Sequence, residues 1–153
     1  MFFTVQNAVK EIFENEAVPG GRLERLASIH LGEHRLLASQ DYPAAFIVFE
    51  NSTVSGNTGK VEFDMTFLVF LFATGATVDE STKIMGELLW CNENGSSNGI
   101  IPVIILNSGF SAGGFSYRME PGKTKVLHGK DERQRATTAA IIPLRVRTWR
   151  QLI

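Results

Sequence analysis

The chain has 153 residues, 44% of them hydrophobic and 20% charged, which is typical of one globular domain with its own core. The formal net charge is −1, so no overall field favours nucleic acid or an anionic membrane. The longest apolar run, residues 67–73, is far shorter than the roughly 20 residues of a membrane-spanning helix. Charged residues also interrupt the N-terminal apolar positions, so we expect a soluble cytoplasmic protein without a signal peptide.

The first predicted element is an amphipathic helix. Its apolar positions follow the helical repeat and are Val5, Ala8, Val9, Ile12 and Phe13. The Pro-Gly-Gly run at residues 19–21 ends it. Residues 23–27 have helical spacing, which indicates a short helical or irregular segment, and residues 29–40 fit either a short strand or a loop.

A long hairpin is predicted next. Residues 44–50 are apolar on both faces of a strand, and residues 51–59 are polar, which indicates a flexible connecting loop. In residues 61–74 apolar and polar side chains alternate as far as Thr66, and both faces are apolar afterwards. We expect this strand to be half-exposed where it begins and buried on both faces where it ends.

The clearest local signal marks a second helix. Thr77 and Glu80 form a capping box, in which each side chain satisfies a free backbone N–H at the start of the helix. The predicted buried stripe comprises Ile84, Met85, Leu88 and Leu89. The polar residues 92–99 end the helix, and Cys91, the only cysteine, is expected there as a buried structural thiol that fits a reducing compartment.

The second half of the chain is predicted to consist of strands separated by connections. Strands are predicted at residues 100–106, 115–120 and 138–149, and flexible connections at 107–114 and 123–135. The order of elements predicts a single α+β domain, residues 1–153. Its sheet is largely antiparallel, with a long hairpin and two main helices packed on one face.

Gly109–Gly113 match G-x-S-x-G, the turn that presents a serine nucleophile in α/β hydrolases. An alternating strand follows the motif, whereas the hydrolase turn requires a helix. The downstream partners, His128 and Asp131, come in the reverse of the expected order. A glycine-rich turn is the better interpretation, and a small serine hydrolase that uses Ser111 is kept as an alternative.

Residues 30–34 match H-x-x-E-H, the inverted zinc-protease motif. On a helix His30 and His34 would share one face, with Glu33 as a base, but Gly32 disfavours that helix. We expect surface histidines in a connection, and we predict neither a metal nor any other cofactor.

Two groups of basic residues are present. A cluster diluted by acidic residues comprises Lys123, Lys125, Lys130, Arg133 and Arg135. In the final strand, Arg145, Arg147 and Arg150 are expected on one side together with Trp149. Such a stripe suits single-stranded nucleic acid or a neighbouring subunit, and the acidic Glu62 and Asp64 would complement it in the second case.

In its organisation the chain resembles the tail-terminator and tail-completion (minor tail) proteins of tailed bacteriophages and prophages. The resemblance rests on the N-terminal helix, YPAAFIVFE, VEFDMTFLVFLFA, the capped helix TVDESTKIMGELLW and the basic strand IIPLRVRTWR. It implies a non-enzymatic virion structural protein. Such proteins form a ring, usually a hexamer, at the head-proximal end of the tail tube, where they meet tube and neck proteins.

The resemblance also implies assembly in the cytoplasm of a bacterial host and a final position in the virion tail. A head-to-tail ring needs two different complementary patches on each subunit. Our candidates for them are the acidic half of the strand at 61–74 (Glu62, Asp64) and the arginine-bearing final strand (Arg145, Arg147, Trp149). A nucleic-acid-binding module that uses the C-terminal arginines is a further alternative.

Overall fold

The computed structural model describes residues 1–90, 98–131 and 133–151, and it confirms the predicted α+β class. The elements in chain order are α1 (Phe2–Glu16), β1 (Ser28–Leu31), a 3-10 turn (Ser39–Asp41), β2 (Ala44–Asn57), β3 (Lys60–Gly75), α2 (Val78–Leu89), α3 (Ile100–Leu106), β4 (Gly109–Ala112), β5 (Phe115–Pro121), β6 (Lys125–Lys130) and β7 (Ala136–Gln151). None of the described helices is long and apolar enough to cross a membrane. Cys91 and most of the segment predicted to end the second helix lie outside the described residues.

The described strands form one sheet of seven, in the order β1-β2-β3-β7-β5-β4, with β6 also paired to β7. Among them only β1 and β2 run parallel, and all other neighbours are antiparallel. β3 and β7 are paired along their whole length, from Lys60 opposite Gln151 to Gly75 opposite Ala136. The two longest strands therefore lie side by side in the middle of the sheet.

The long hairpin is more regular than the sequence indicates. Residues 51–57, predicted as a loop, continue β2 and pair with β3 as far as Asn57 opposite Lys60, so that prediction is wrong. A two-residue turn at Thr58 and Gly59 closes the hairpin, and Gly59 has the positive φ (80°) that such turns favour. The serine, threonine and asparagine residues resemble a loop in composition, but the backbone ladder with β3 decides the conformation here.

Two other predicted connections also contain strands. Residues 107–114 include β4 and a tight turn at Gly113 and Gly114, both with positive φ. Residues 123–135 include β6, which adds to the edge of β7. Both strands are short and mostly polar, so their pattern alone does not separate them from loops.

The main core lies between the helices and one face of the sheet. α1 contributes Val5, Val9 and Phe13 as predicted, while Ala8 and Ile12 of the predicted stripe are half-buried. β3 contributes alternate residues, all at most 1% exposed: Met65, Phe67, Val69, Leu71 and Ala73. The three described helices cover this one face, one more than the two predicted, because residues 100–106 form a helix.

The other face of β3 is less buried than predicted. Leu68, Phe70 and Phe72 are each half-buried, so the strand is not buried on both faces. Phe70 and Phe72 pack with Phe46 in a second, smaller cluster, which the segment around Leu37 partly covers. The continuous apolar run reflects two clusters of different size, one on each side of the sheet.

The capping box at α2 is confirmed in its first half. The Glu80 N–H donates to Thr77 Oγ1 over 3.2 Å, while the Glu80 carboxylate accepts from the N–H of Ala76, not of Thr77, over 3.0 Å. Met85 and Leu88 are buried as predicted, and Ile84 and Leu89 are half-buried. Ser81, which the apolar stripe does not include, is also buried.

Residues 100–106 form the helix α3, so the prediction of a strand there is wrong. A short apolar run fits either a buried strand or a buried helix, because its periodicity does not separate the two. Pro102 lies in the first turn of α3, where its missing N–H costs no intrahelical hydrogen bond. Residues 23–27, in contrast, form turns whose Leu23 and Leu26 are buried.

Candidate interaction surface on the sheet

The five candidate interface residues lie on one face of two adjacent strands. In the β3–β7 register Glu62 is opposite Trp149 and Asp64 is opposite Arg147, while Arg145 is opposite Thr66. Residues two apart on a strand share a face, so all five lie on the face away from the helices. We call this group, together with Arg118 and Glu120 of β5, the charged face.

Arg145 is bound to Asp64 in the centre of the charged face. Its Nε lies 2.9 Å from Asp64 Oδ2, and Nη2 contacts the same oxygen. The hydrogen bonds to Asp64, and then its negative charge, raise the pKa of Arg145. Asp64 is only 20% exposed, so this diagonal cross-strand pair forms the floor of the face.

Glu120 of β5 links both arginines from the neighbouring strand. Its Oε1 lies 3.6 Å from Arg145 Nη1 and 3.4 Å from Arg147 Nη2. The Arg147 guanidinium lies 5.9 Å from the centre of the Trp149 ring. The Trp149 side chain is 55% exposed, which makes it the large apolar group that this face presents to solvent.

Arg150 does not belong to this face, so its predicted grouping with Arg145 and Arg147 is wrong. Strand side chains alternate, and residue 150 points to the opposite side from residues 145, 147 and 149. Its guanidinium carbon lies 3.5 Å from the centre of the Phe115 ring and 5.4 Å from that of Phe63. Arg150 therefore packs on aromatic rings at the end of the helix-covered side.

The two predicted patches are not separate in the folded chain. β3 and β7 are neighbours, so their acidic and basic residues form a single patch whose charges pair within the chain. Arg118, opposite Arg147, and Glu120, opposite Arg145, complete this patch. Alternation along residues 115–120 is typical of a strand with Arg118 and Glu120 on one face, but no local pattern reveals that β5 lies beside β7.

Ser111 lies in a hairpin and not in a nucleophile elbow. It is exposed on β4 opposite Ser116 of β5, and the turn between them is Gly113-Gly114. A helix precedes β4 and a strand follows the turn, the reverse of the strand-turn-helix order of hydrolases. This geometry agrees with the glycine-rich turn that we expected.

The two histidines of the H-x-x-E-H motif pack against phenylalanines. His30 lies on β1 and stacks on Phe46 with ring centres 4.9 Å apart, while His34 stacks on Phe72 at 4.1 Å. Gly32 has a φ of 90°, so no helix places the histidines on one face. Within the described residues no three potential metal ligands come together.

The basic cluster at residues 123–135 is divided among several contacts. Arg135 is bound to Asp131 (Nε to Oδ2, 2.8 Å), and Arg133 donates to the carbonyl of Leu37. Burial opposes ionisation of Asp131, but hydrogen bonds from Arg135 and Arg133 outweigh it and lower the pKa of Asp131. These two arginines therefore stabilise the connection to β7.

Sequence comparisons identify no relative of this chain. No known family model matches the chain, and no curated protein matches it significantly. The charged face and the strands that carry it therefore provide the evidence for function.

Proposed function

We propose that this protein is a non-enzymatic structural subunit that assembles with copies of itself, of the type that forms the ring terminating a phage tail tube. The observation that carries the proposal is the charged face. Its charges are paired on three neighbouring strands, and the exposed Trp149 lies at the end of the face beside Arg147. Exposed aromatic side chains and arginines are enriched in protein interfaces.

The charge balance of this face favours a protein partner over a nucleic-acid backbone. Arg145 and Arg147 both contact carboxylates of the same chain, Asp64 and Glu120. An arginine that is already paired with a carboxylate attracts phosphate less strongly. Trp149 and Glu62, opposite each other at the end of the face, then offer an apolar and an acidic contact to the next subunit.

The length of β3 and β7 also favours a protein partner. The continuous core on β3 and β7 ends at Met65 and Val146, and both strands continue for several residues beyond it. Strands that extend past their own core place ordered side chains where another subunit can cover them. The ring size and the tail and neck partners follow from the resemblance alone and belong to the proposal.

Light scattering after gel filtration, at several protein concentrations, tests the proposal, and negative-stain images show whether the assembled species is a ring. We expect Trp149→Ala to raise the concentration at half-assembly about 30-fold, the effect of losing a hot-spot side chain. Trp90→Ala is the matched control, since Trp90 is equally exposed (54%) but lies at the end of α2.

A wild-type protein that stays monomeric at every concentration contradicts self-assembly. Equal effects of the two tryptophan substitutions contradict the role of the charged face. Salt-sensitive binding of a single-stranded oligonucleotide by the monomer would favour the nucleic-acid module instead.

A further inference from the structure

The outer edge of β2 has no strand partner over residues 51–57 in the part of the chain that the structure describes. β1 pairs only with Ala44–Ile47, and β3 occupies the other edge of β2 along the whole strand. All of residues 51–57 except Ser52 are exposed. An open strand edge of this length can pair with a strand of another chain.

The hairpin turn determines which backbone groups are free. Asn57 and Lys60 flank the two-residue turn and form the hydrogen-bonded pair that closes the hairpin. Hydrogen-bonded pairs recur at every second residue, so the odd-numbered residues of 51–57 bond to β3. Ser52, Val54 and Gly56 therefore direct their N–H and C=O groups outward.

Residues 51–57 also lack the usual protection of an exposed strand edge. They include no charged residue and no proline, and the irregularity in the pairing of β2 with β3 precedes them, between Phe49 and Asn51. β6, which lies at the opposite side of the sheet, carries Lys125 and Lys130 at its two ends. Of these two strands, then, only the β2 edge lacks a charge that would repel another strand.

We propose that residues 51–57 pair antiparallel with the same segment of a second copy, about a two-fold axis at Val54. In this register Val54 lies opposite Val54 of the second copy, and Ser52 lies opposite Gly56. Every outward N–H and C=O group of these three residues then finds a partner, which makes six hydrogen bonds across the axis. Val54, 62% exposed in the single chain, becomes covered.

Electrostatics permits this register. Thr53 would lie opposite Ser55 of the second copy, and on β3 these residues face Asp64 and Glu62. Three strand spacings of about 4.8 Å then separate the acidic groups of the two copies by ~14 Å, which exceeds the screening length of about 8 Å at physiological salt. The segment is shorter than the roughly 20–30 residues per side of a stable interface, so we expect a dimer that dissociates on dilution.

Cysteine cross-linking locates the axis. In a Cys91→Ser background, Val54→Cys places two thiols on the axis, where hydrogen-bonded antiparallel Cα atoms lie about 5.5 Å apart, within disulfide range. Val126→Cys on β6 is the control, since Val126 is also exposed (43%) at an open edge. We expect Val54→Cys to form the disulfide dimer at least about tenfold faster, because pairing raises the effective thiol concentration.

Equal rates for the two cysteine variants overturn the proposal. It also fails if Val54→Cys cross-links only when it is mixed with Val126→Cys, because that result would mean head-to-tail pairing of β2 with β6.

Sedimentation equilibrium gives a second, independent readout, in a Trp149→Ala background so that contacts through the charged face are weakened. We expect the mass to rise with concentration from 16.9 kDa towards twice that value. Val54→Lys should stay at the lower mass, because two lysines would meet on the axis. An equimolar mixture of Val54→Lys and Val54→Glu should restore the dimer.

Failure of the dimer to form in this background, or equal masses for Val54→Lys and its parent, overturns the edge pairing. Neither result affects the proposed role of the charged face. The Trp149 and Trp90 comparison tests that role separately.

Discussion

The Arg145 guanidinium binds the carboxylate of Asp64 on the adjacent strand, two residues along from the one opposite Asp64, with Nε 2.9 Å from Oδ2. This contact joins the two central strands of the domain through their side chains as well as their backbones. Glu62, two residues before Asp64 on the same face, is opposite Trp149 instead. The two acidic residues therefore have different roles in the folded monomer.

Charge reversal should separate these roles. Asp64→Lys places a third cation beside Arg145 and Arg147, so we expect it to lower the melting temperature of the monomer. Glu62→Lys should lower it less and should mainly affect assembly. Thermal unfolding followed by circular dichroism at low protein concentration measures both effects. The Asp64→Arg/Arg145→Asp double variant should recover only part of the loss, because the exchanged charges lie opposite Arg147 and Glu120. Equal effects of the two single reversals would contradict this assignment.

Two glycines should respond to alanine in opposite directions. Gly86 lies within α2, and a Cβ there meets nothing within 4 Å, so Gly86→Ala should stabilise the protein by about 0.5–1 kcal/mol through helix propensity. Gly99 has a φ of 111°, and its Cβ would lie 2.8 Å from the backbone of Leu89 and Trp90. Gly99→Ala should therefore lower the free energy of unfolding by more than the ~1–3 kcal/mol that an unfavourable backbone conformation costs alone. Urea unfolding measures the free energy of unfolding of both variants. Stabilisation by both would contradict the described position of Gly99.

A buried hydroxyl pair should couple α2 to β7. Ser81 Oγ lies 2.8 Å from Thr138 Oγ1, and both residues are fully buried. Thr138→Val keeps the shape but removes this bond and the one to His128 Nδ1, so we expect a loss of about 1–2 kcal/mol. Thr74→Val, half-buried on the neighbouring strand, is the control and should change stability by less than ~0.5 kcal/mol. If both substitutions lowered the free energy of unfolding equally, the hydroxyl pair would make no specific contribution to stability.

Local signals in the sequence predicted much of the fold. The helical repeat of α1, the Thr77 cap of α2 and the alternation at the start of β3 each depend on residues close in the chain, and the structure confirms all three. The sequence predicts a strand where α3 lies, because a seven-residue apolar run fits both conformations. The polar end of β2 has the composition of a loop, and only its pairing with β3 makes it a strand.

The charged face was predictable in part. Alternation placed Glu62 with Asp64, and Arg145 with Arg147, on common strand faces, but it does not reveal which strands are neighbours. Intrachain pairing of these charges, and the contribution of Glu120, depend on the strand order β3-β7-β5. That order joins residues far apart in the chain, so no local pattern could indicate it.

His30 should make the stability of the fold depend on pH. Burial, and then the positive charge of Arg35, lower the pKa of His30 from its ordinary value of 6.5, while Asp41 opposes them weakly. The ring stacks on Phe46, and its Nδ1 accepts a hydrogen bond from Arg35 Nη2 over 3.2 Å. The neutral ring therefore carries its proton on Nε2, and a second proton on Nδ1 would break the bond to Arg35. The unfolded chain therefore binds a proton at higher pH than the folded protein does. The free energy of unfolding should fall as the pH drops through about 6.5, and be unaffected by His30 well above it.

The substitution His30→Phe tests this dependence, since phenylalanine keeps the stacking on Phe46 and cannot be protonated. We expect the variant to lose the part of the slope that His30 contributes, in urea unfolding measured about one pH unit above and below 6.5. His30→Gln is a second variant without a titratable ring, and it should lose the same part of the slope although it also loses the stacking on Phe46. A variant with the slope of the wild type, or a wild type that becomes more stable as the pH falls through this range, would show that His30 is not the group responsible.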